Sequence, residues 1–448
     1  MHFVFENIKN GDFSNFEKHN KPGIVRFSQS SFANTILRFK SMESEEFEKF
    51  VEFVTYSDLT PKNKKYIIPV GVSYHPSEWC GSDRYDVGFN RKDPNLKSLF
   101  QIISPQYLKD LQEGQAFLLL DQSHEGYQTE WLWQWFHNNC DEFNINPTQI
   151  IYVTGNLNCR TQYTEWADSH NLKNRIFPVP YPHFEMMMFE TMKIQNEDQN
   201  LKKTPEFEDQ LVYKEQKLFD IKTFNALQKR FRAHRIWFFK YLHDANLIND
   251  NIISMNEFNH IQSFYDGRYL NIDEWTDLSR FIPRLPPQNP EGCDLDDFSN
   301  QDCGKYLNQL NEQIMLDTWL TVVSEASFGD HELTCFLSEK TFKPIACYHP
   351  FIIFGNKGSL EHIRNLGYKT FHPFIDETYD TLPTWERIDA ITKELIRINN
   401  FKPDEKLDWY KNLKNILEHN YNILHINSRK KIPSAFVGVS DYVSKTDL

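Results

Sequence analysis

Val323-Ser324-Glu325-Ala326-Ser327-Phe328, then Phe336-Leu337-Ser338-Glu339-Lys340-Thr341-Phe342-Lys343-Pro344-Ile345, then Pro350-Phe351-Ile352-Ile353-Phe354-Gly355: these three neighbouring runs decide the fold class. The first reads as the end of a buried strand, the second as a helix opening on Glu-Lys behind a Ser338 cap, and the third as a strand closing at glycine. Strand, helix and strand in that order is the repeating unit of an α/β fold. Open α/β sheets bind their ligands outside the carboxyl ends of the strands. The order therefore places an acid, Glu339, and an amine, Lys340, at the mouth of the sheet. Glu325 ends the preceding strand, and Lys343 lies one turn along the helix.

That combination has a chemistry. A carboxylate accepts hydrogen bonds from a vicinal diol, and an ammonium group neutralises phosphate. A sugar nucleotide carries both, as a ribose and a diphosphate. The unprotected N–H groups of the helix start add further donors for an anion. Glu339 and Lys340 taken alone read equally well as a solvated helix end with an acid in its first turn; Glu325, Lys343 and the Pro350–Gly355 strand weigh against that simpler reading.

Working outward, three apolar runs in the first half read as buried strands: Tyr66 to Val72, Ala116 to Leu120 and Gln149 to Val153. Trp131-Leu132-Trp133-Gln134-Trp135-Phe136, between the last two, has helical aromatic spacing and is expected to pack a crossover helix on the sheet. A helix over 160–170 and a strand near Arg175 to Pro180 complete this half. From about Met192 to Glu215 the chain turns charged and rich in Gln and Asn. The expected organisation is an N-terminal domain over 1–195, a linker over 196–215, a second domain over 216–400, and C-terminal helices and a tail over 401–448. The second domain opens on a strand over 217–224 and on the basic run Lys229-Arg230-Phe231-Arg232-Ala233-His234-Arg235, which enters a helix. Cations at a strand-to-helix junction suit an anion. Residues 250–300, rich in Asn, Asp and Pro, read as an excursion.

The bulk numbers bound the reading. At 448 residues the chain exceeds the usual size of one core, so two domains are expected. A hydrophobic share of 40% argues against wholesale disorder. The net charge of -13 argues against a protein whose affinity comes from covering a nucleic-acid backbone. Seven cysteines without a C-x-x-C pair indicate neither a disulfide framework nor a zinc ribbon. The first ten residues lack the apolar core of a signal peptide, and no apolar run reaches the length of a membrane span. A cytoplasmic protein is expected.

The segment Val323 to Gly355 resembles the donor-binding signature of the α1,3-fucosyltransferase family and of related bacterial and phage-encoded glycosyltransferases. There a Phe-Glu-Asn-Ser-like strand end precedes Thr-Glu-Lys and a later Pro-Val strand. The counterparts here are Ser324-Glu325-Ala326-Ser327, Ser338-Glu339-Lys340 and Pro350-Phe351-Ile352-Ile353. The family also carries an Asn and, a few residues on, an Arg that opens a helix; Gln228 stands in place of the Asn, and Arg235 matches the Arg. The likeness covers roughly 224–242 and 323–371. It implies the GT-B architecture, two Rossmann-like domains facing across a cleft. It also implies a sugar-nucleotide donor with Glu339 on its ribose, Lys340 and Arg235 on its diphosphate, and Arg230 as a helper. Gln228 and the missing Asn after Glu325 depart from the pattern and leave the sugar and base open.

Glycosyl transfer builds positive charge on the sugar and negative charge on the departing phosphate, so fixed cations can serve the leaving group without a metal. No cofactor is expected. A base must take the acceptor proton, and the candidates follow a first-half strand in Leu119-Leu120-Asp121-Gln122-Ser123-His124-Glu125-Gly126: Glu125 or Asp121. Either is equally a loop acid capping the next helix. Asn156, Asn158 and Arg160 are candidate acceptor-side residues. Asp294-Leu295-Asp296 has the D-x-D pattern of metal-dependent transferases but sits in the Pro-rich excursion, where a solvated acidic loop is the favoured reading. The histidines show no ligand spacing, and Walker, G-x-S-x-G and G-x-G-x-x-G motifs are absent. The expected activity is inverting transfer from a nucleoside-diphosphate sugar to a glycan or other hydroxyl. A phage-type enzyme that glycosylates a hydroxylated DNA base, and a non-catalytic sugar-nucleotide or glycan binder, are the alternatives.

Overall fold

The computed structural model describes residues 65–72, 100, 103, 105–126, 130–197, 205–228, 233–255, 310, 312–329 and 334–446, with the backbone of three short strands at 2–4, 25–27 and 52–54. The chain divides into two compact units, one comprising 1–183, 333–336 and 429–448, the other 184–332 and 337–428.

The first unit is built on a seven-stranded sheet: β1 (His2–Val4), β2 (Val25–Phe27), β3 (Glu52–Val54), β4 (Tyr66–Val72), β5 (Ala116–Gln122), β6 (Ile150–Thr154) and β7 (Phe177–Pro180). Its order is β3-β1-β4-β5-β6-β7, with β2 added antiparallel to the end of β4 and the other ladders parallel. Parallel strands covered on both faces read as continuous apolar runs. β5, Ala-Phe-Leu-Leu-Leu-Asp-Gln, is buried at every position for that reason. Helices α1 (Pro105–Gln112), α2 (Glu130–Glu142) and α3 (Cys159–Ser169) make the crossovers. Trp133 and Trp135 of α2 are each 2% exposed and pack in the core with Tyr152 and Phe100, so the aromatic run is packing, as its spacing suggests.

The second unit holds a four-stranded parallel sheet in the order β11-β10-β8-β9, from β8 (Lys222–Gln228), β9 (Ile252–Met255), β10 (Thr318–Ser324) and β11 (Phe351–Phe354). Around it lie α4 (His183–Glu197), α5 (Phe207–Gln216), α6 (Ala233–Asp244), α7 (Glu312–Leu316), α8 (Glu339–Ala346), α9 (Ser359–Asn365), α10 (Thr384–Asn399) and α11 (Pro403–Asn412). The final helix, α12 (Lys414–Lys445), begins in the second unit, and its residues from 429 belong to the first.

Both units are thus α/β, as the sequence leads one to expect. The first passage between them falls at 183/184, ahead of the segment expected as a linker. The second half of that segment is helix α5, whose Phe207, Gln210 and Lys214 are buried. Its polar composition reads as a linker because two of the three buried side chains are themselves polar. The strand expected at 217–224 starts later, at Lys222, because Lys217 to Asp220 form the turn that closes α5.

Candidate functional site

At the carboxyl edge of the second sheet, Glu325 follows directly on β10 and is 1% exposed. Its Oε1 accepts from the Ser338 N–H at 3.0 Å and from the Thr341 hydroxyl at 2.6 Å, and its Oε2 from the Ala326 N–H at 3.3 Å. A carboxylate that meets backbone donors at a helix start satisfies groups with no partner inside the helix. Glu325 therefore fastens the first turn of α8 to the end of β10.

The start of α8 is built as its sequence indicates. Ser338 holds extended backbone angles, and its Oγ accepts from the Lys340 N–H at 3.3 Å. Lys340 Nζ donates to Glu339 Oε1 at 2.7 Å and to Ser338 Oγ at 3.3 Å. The pair is asymmetric, the Glu339 side chain being 8% exposed and that of Lys340 31%. Burial pushes the Glu339 carboxyl up. The charges of Lys340 and Lys343, with hydrogen bonds from Lys340 and from its own N–H, outweigh that and hold it below the usual carboxylate range. An ammonium group carries three N–H donors, two of which meet Glu339 and Ser338. The result is a buried, ionised acid beside a half-buried amine, at a helix N-terminus on the carboxyl edge of a parallel sheet.

Arg235 comes to the same strand end from α6, but in a role the sequence does not indicate. It is 3% exposed, and its Nη2 donates to the carbonyls of Ser324 and Glu325, both at 3.0 Å. The guanidinium expected on a diphosphate is engaged with the backbone that carries Glu325. His234 Nε2 lies 3.3 Å from the same Glu325 carbonyl, and its ring stacks on Phe328 at 5.4 Å. Arg230 and the Asp294–Asp296 element lie outside the described residues.

At the carboxyl edge of the first sheet, Asp121 is 1% exposed and accepts from the Ser123 N–H at 2.9 Å, closing the turn after β5. Glu125 is only half-buried; its carbonyl accepts from the Gly155 N–H at 2.9 Å and from the Thr154 hydroxyl at 3.2 Å. Burial lowers the His124 imidazole pKa, partly offset by the Asp121 charge. Asn156 is fully buried, and its Oδ1 accepts from the N–H groups of Asn158 at 3.0 Å and Cys335 at 3.1 Å. Arg160 Nε donates to the Pro178 carbonyl at 3.0 Å, and its guanidinium lies over the Phe177 ring at 5.2 Å. Asn156 thus organises the loop after β6, and Arg160 ties the start of α3 to β7.

Sequence reasoning missed Arg387, which is fully buried on α10 and donates to the carbonyls of Gly355 at 2.7 Å and Gly329 at 3.3 Å. It braces the loops that follow β10 and β11. Nothing in Thr384-Trp385-Glu386-Arg387 marks one arginine of a helix as an inward one. Among the described residues there is no group of three or more His, Cys, Asp or Glu side chains arranged to hold a metal ion. Comparison of the chain with protein-family models, with curated proteins and with solved structures finds no match.

Proposed function

We propose that this chain is a glycosyltransferase of the GT-B type that uses a nucleoside-diphosphate sugar as donor and a hydroxyl group as acceptor. One observation carries the reading: the ion pair of Glu339 and Lys340 opening α8, capped by Ser338 and tied to β10 through Glu325. The third N–H of Lys340 and the first-turn N–H groups of α8 suit the diphosphate, and the ionised Glu339 suits the ribose diol. Fixed positive charge there serves the transition state, because negative charge grows on the leaving phosphate as the glycosidic bond breaks. Arg235 acts as a positioning residue: it holds the carbonyls of Ser324 and Glu325 and so the carboxylate that anchors the helix.

The acceptor hydroxyl must lose a proton. On the first unit Glu125 fits that task better than Asp121, whose carboxylate is buried and committed to the turn at Ser123. Thermal-shift titration with sugar nucleotides tests the donor half, since a ligand of the native state raises its melting temperature. Lys340→Ala and Glu339→Gln are each expected to weaken donor affinity tenfold or more. Glu125→Gln is expected to lower turnover about a hundredfold with donor affinity unchanged, within the range of general-base contributions. Wild-type donor affinity in both α8 variants would refute the reading. Binding without slow hydrolysis or transfer, under any acceptor tried, would leave a sugar-nucleotide-binding module.

A further inference from the structure

β8 and β10 are neighbours in the second sheet, paired in parallel with Leu320 opposite Phe224 and Thr321 opposite Asn225. Continuing that register by three residues on each strand brings Ser324 level with Gln228, at the last position of both strands. Residues in register on parallel neighbours point to the same face. Gln228 is 2% exposed and Ser324 1%. Yet among the described residues the Gln228 Oε1, the Gln228 Nε2 and the Ser324 Oγ have no hydrogen-bond partner, and the two side chains do not bond one another. The backbone beside them is well paired: the Gln228 N–H meets Ser254 Oγ at 3.2 Å, and the Ser324 carbonyl meets Arg235 at 3.0 Å.

Buried polar atoms are ordinarily paired, and an exception calls for a cause. Three atoms unpaired at one spot, on the edge where parallel sheets receive ligands, share one cause most simply. An amide offers a donor and an acceptor side by side, and a serine hydroxyl offers either. Their complement is a ligand group that itself donates and accepts.

We infer that Gln228 and Ser324 form a polar subsite that takes such a group from the donor, either the amide-like edge of its base or a ring hydroxyl of its sugar. The inference rests on the donor reading above and deepens it: α8 holds the parts every nucleoside-diphosphate sugar shares, and the strand ends select among donors. Gln228 and Ser324 are specificity-determining residues, and losing their polar atoms removes recognition without harming the fold.

The test uses the full chain with UDP, GDP, UDP-glucose and GDP-mannose as probes, read by melting temperature and calorimetric affinity. Gln228→Met keeps length and shape while deleting both amide atoms, and Ser324→Ala deletes the hydroxyl. Each variant without ligand is expected to melt no lower than the wild type, and at least one probe to lose tenfold or more in affinity. Loss with UDP or GDP as well as with the sugar-bearing probes places the subsite on the base; loss confined to UDP-glucose or GDP-mannose places it on the sugar. Wild-type affinity of both variants for every bound probe, with binding lost in Lys340→Ala, overturns the subsite and leaves the donor reading standing. A lower melting temperature of both variants without ligand shows that water already pairs these atoms, and it overturns the subsite too. Should Gln228→Met lose a probe that Lys340→Ala and Glu339→Gln still bind, the subsite stands and the α8 assignment fails. Should no probe bind the wild type, both fail.

Discussion

Gly126 and Gly155 share a neighbour, the Phe336 side chain, and the two glycines meet it differently. A Cβ on Gly126 would lie against Phe336 Cβ and 2.5 Å from its Cγ and Cδ2, with no other group among its three nearest contacts. A Cβ on Gly155 would lie 2.7 Å from Phe336 Cε2 and also 2.7 Å from the Ser123 carbonyl oxygen. A ring can turn aside or be deleted, whereas a carbonyl in a bonded turn cannot. Gly126→Ala and Gly155→Ala are each expected to destabilise the first unit by about 1–3 kcal/mol, the usual cost of overpacking. Adding Phe336→Gly, which removes the Phe336 Cβ together with the ring, should restore much of the loss in Gly126→Ala and little of it in Gly155→Ala. Denaturant melts of the four single and double variants and the Phe336→Gly reference read this directly; equal rescue at both sites would refute the close approach to Ser123.

Among the elements, α8 depends on a residue outside it. Glu325 takes the Ser338 N–H and the Thr341 hydroxyl, so Glu325→Ala strands two buried donors and is expected to cost about 2–4 kcal/mol. Glu325→Gln keeps one acceptor and should cost less. Loss of donor binding in Glu325→Ala, at a temperature where the variant is still folded, would show that the helix start must be held in place to function. The strands and helices of each unit that carry the candidate residues were legible in the sequence because their signals are local: apolar runs for β5 in the first unit and for β10 and β11 in the second, and a serine before Glu-Lys for α8. Asp121 and Glu125 were also legible as acids after a strand. Which of the two closes the turn was not, because the Asp121–Ser123 bond appears only when the backbone is built. The family resemblance implies a diphosphate ligand at Arg235, and its place in a basic run suits an anion in general. Its burial against two carbonyls is a tertiary fact that no spacing encodes. Helix α5 was hidden for a related reason, since its inward face carries Gln210 and Lys214, a polar face buried by pairing and not by apolarity.

The second unit as a whole carries two buried ionisable groups whose burdens coincide near neutral pH. Lys214 of α5 is fully buried; its ammonium donates to the carbonyls of Met315 and Leu316, both at 3.0 Å, and of Thr318 at 2.5 Å, at the end of α7. The Trp319 and Tyr410 rings lie 5.1 and 5.2 Å from it. Burial pushes its pKa down from 10.5 to about 7, with the Asp317 charge in partial opposition. Asp380 accepts from the Leu360 N–H with both oxygens, at 3.2 and 3.1 Å, and burial, which exceeds the opposing backbone hydrogen bonds and arginine charges, pushes it up from 3.8 to about 6. Between pH 3.8 and 6 the folded Asp380 binds a proton that the unfolded chain has released, so stability falls as pH rises, by roughly 3 kcal/mol over the window. Between pH 7 and 10.5 the unfolded chain holds a proton that folded Lys214 has lost, so stability rises with pH. The two groups together dig a trough between pH 6 and 7. Hydrogen exchange at β8 and β10, followed from pH 4 to 10 in the wild type and in a variant of each group, separates these two contributions from that of His349, which burial and the Lys214 charge hold well below the usual imidazole range and which opposes the acid limb. Asp380→Asn is expected to flatten the acid limb alone. Lys214→Met is expected to flatten the alkaline limb alone, and to cost stability at every pH because three carbonyls lose their donor. Protection that instead peaked between pH 6 and 7, with both limbs unchanged in the variants, would rule out these two groups as its source.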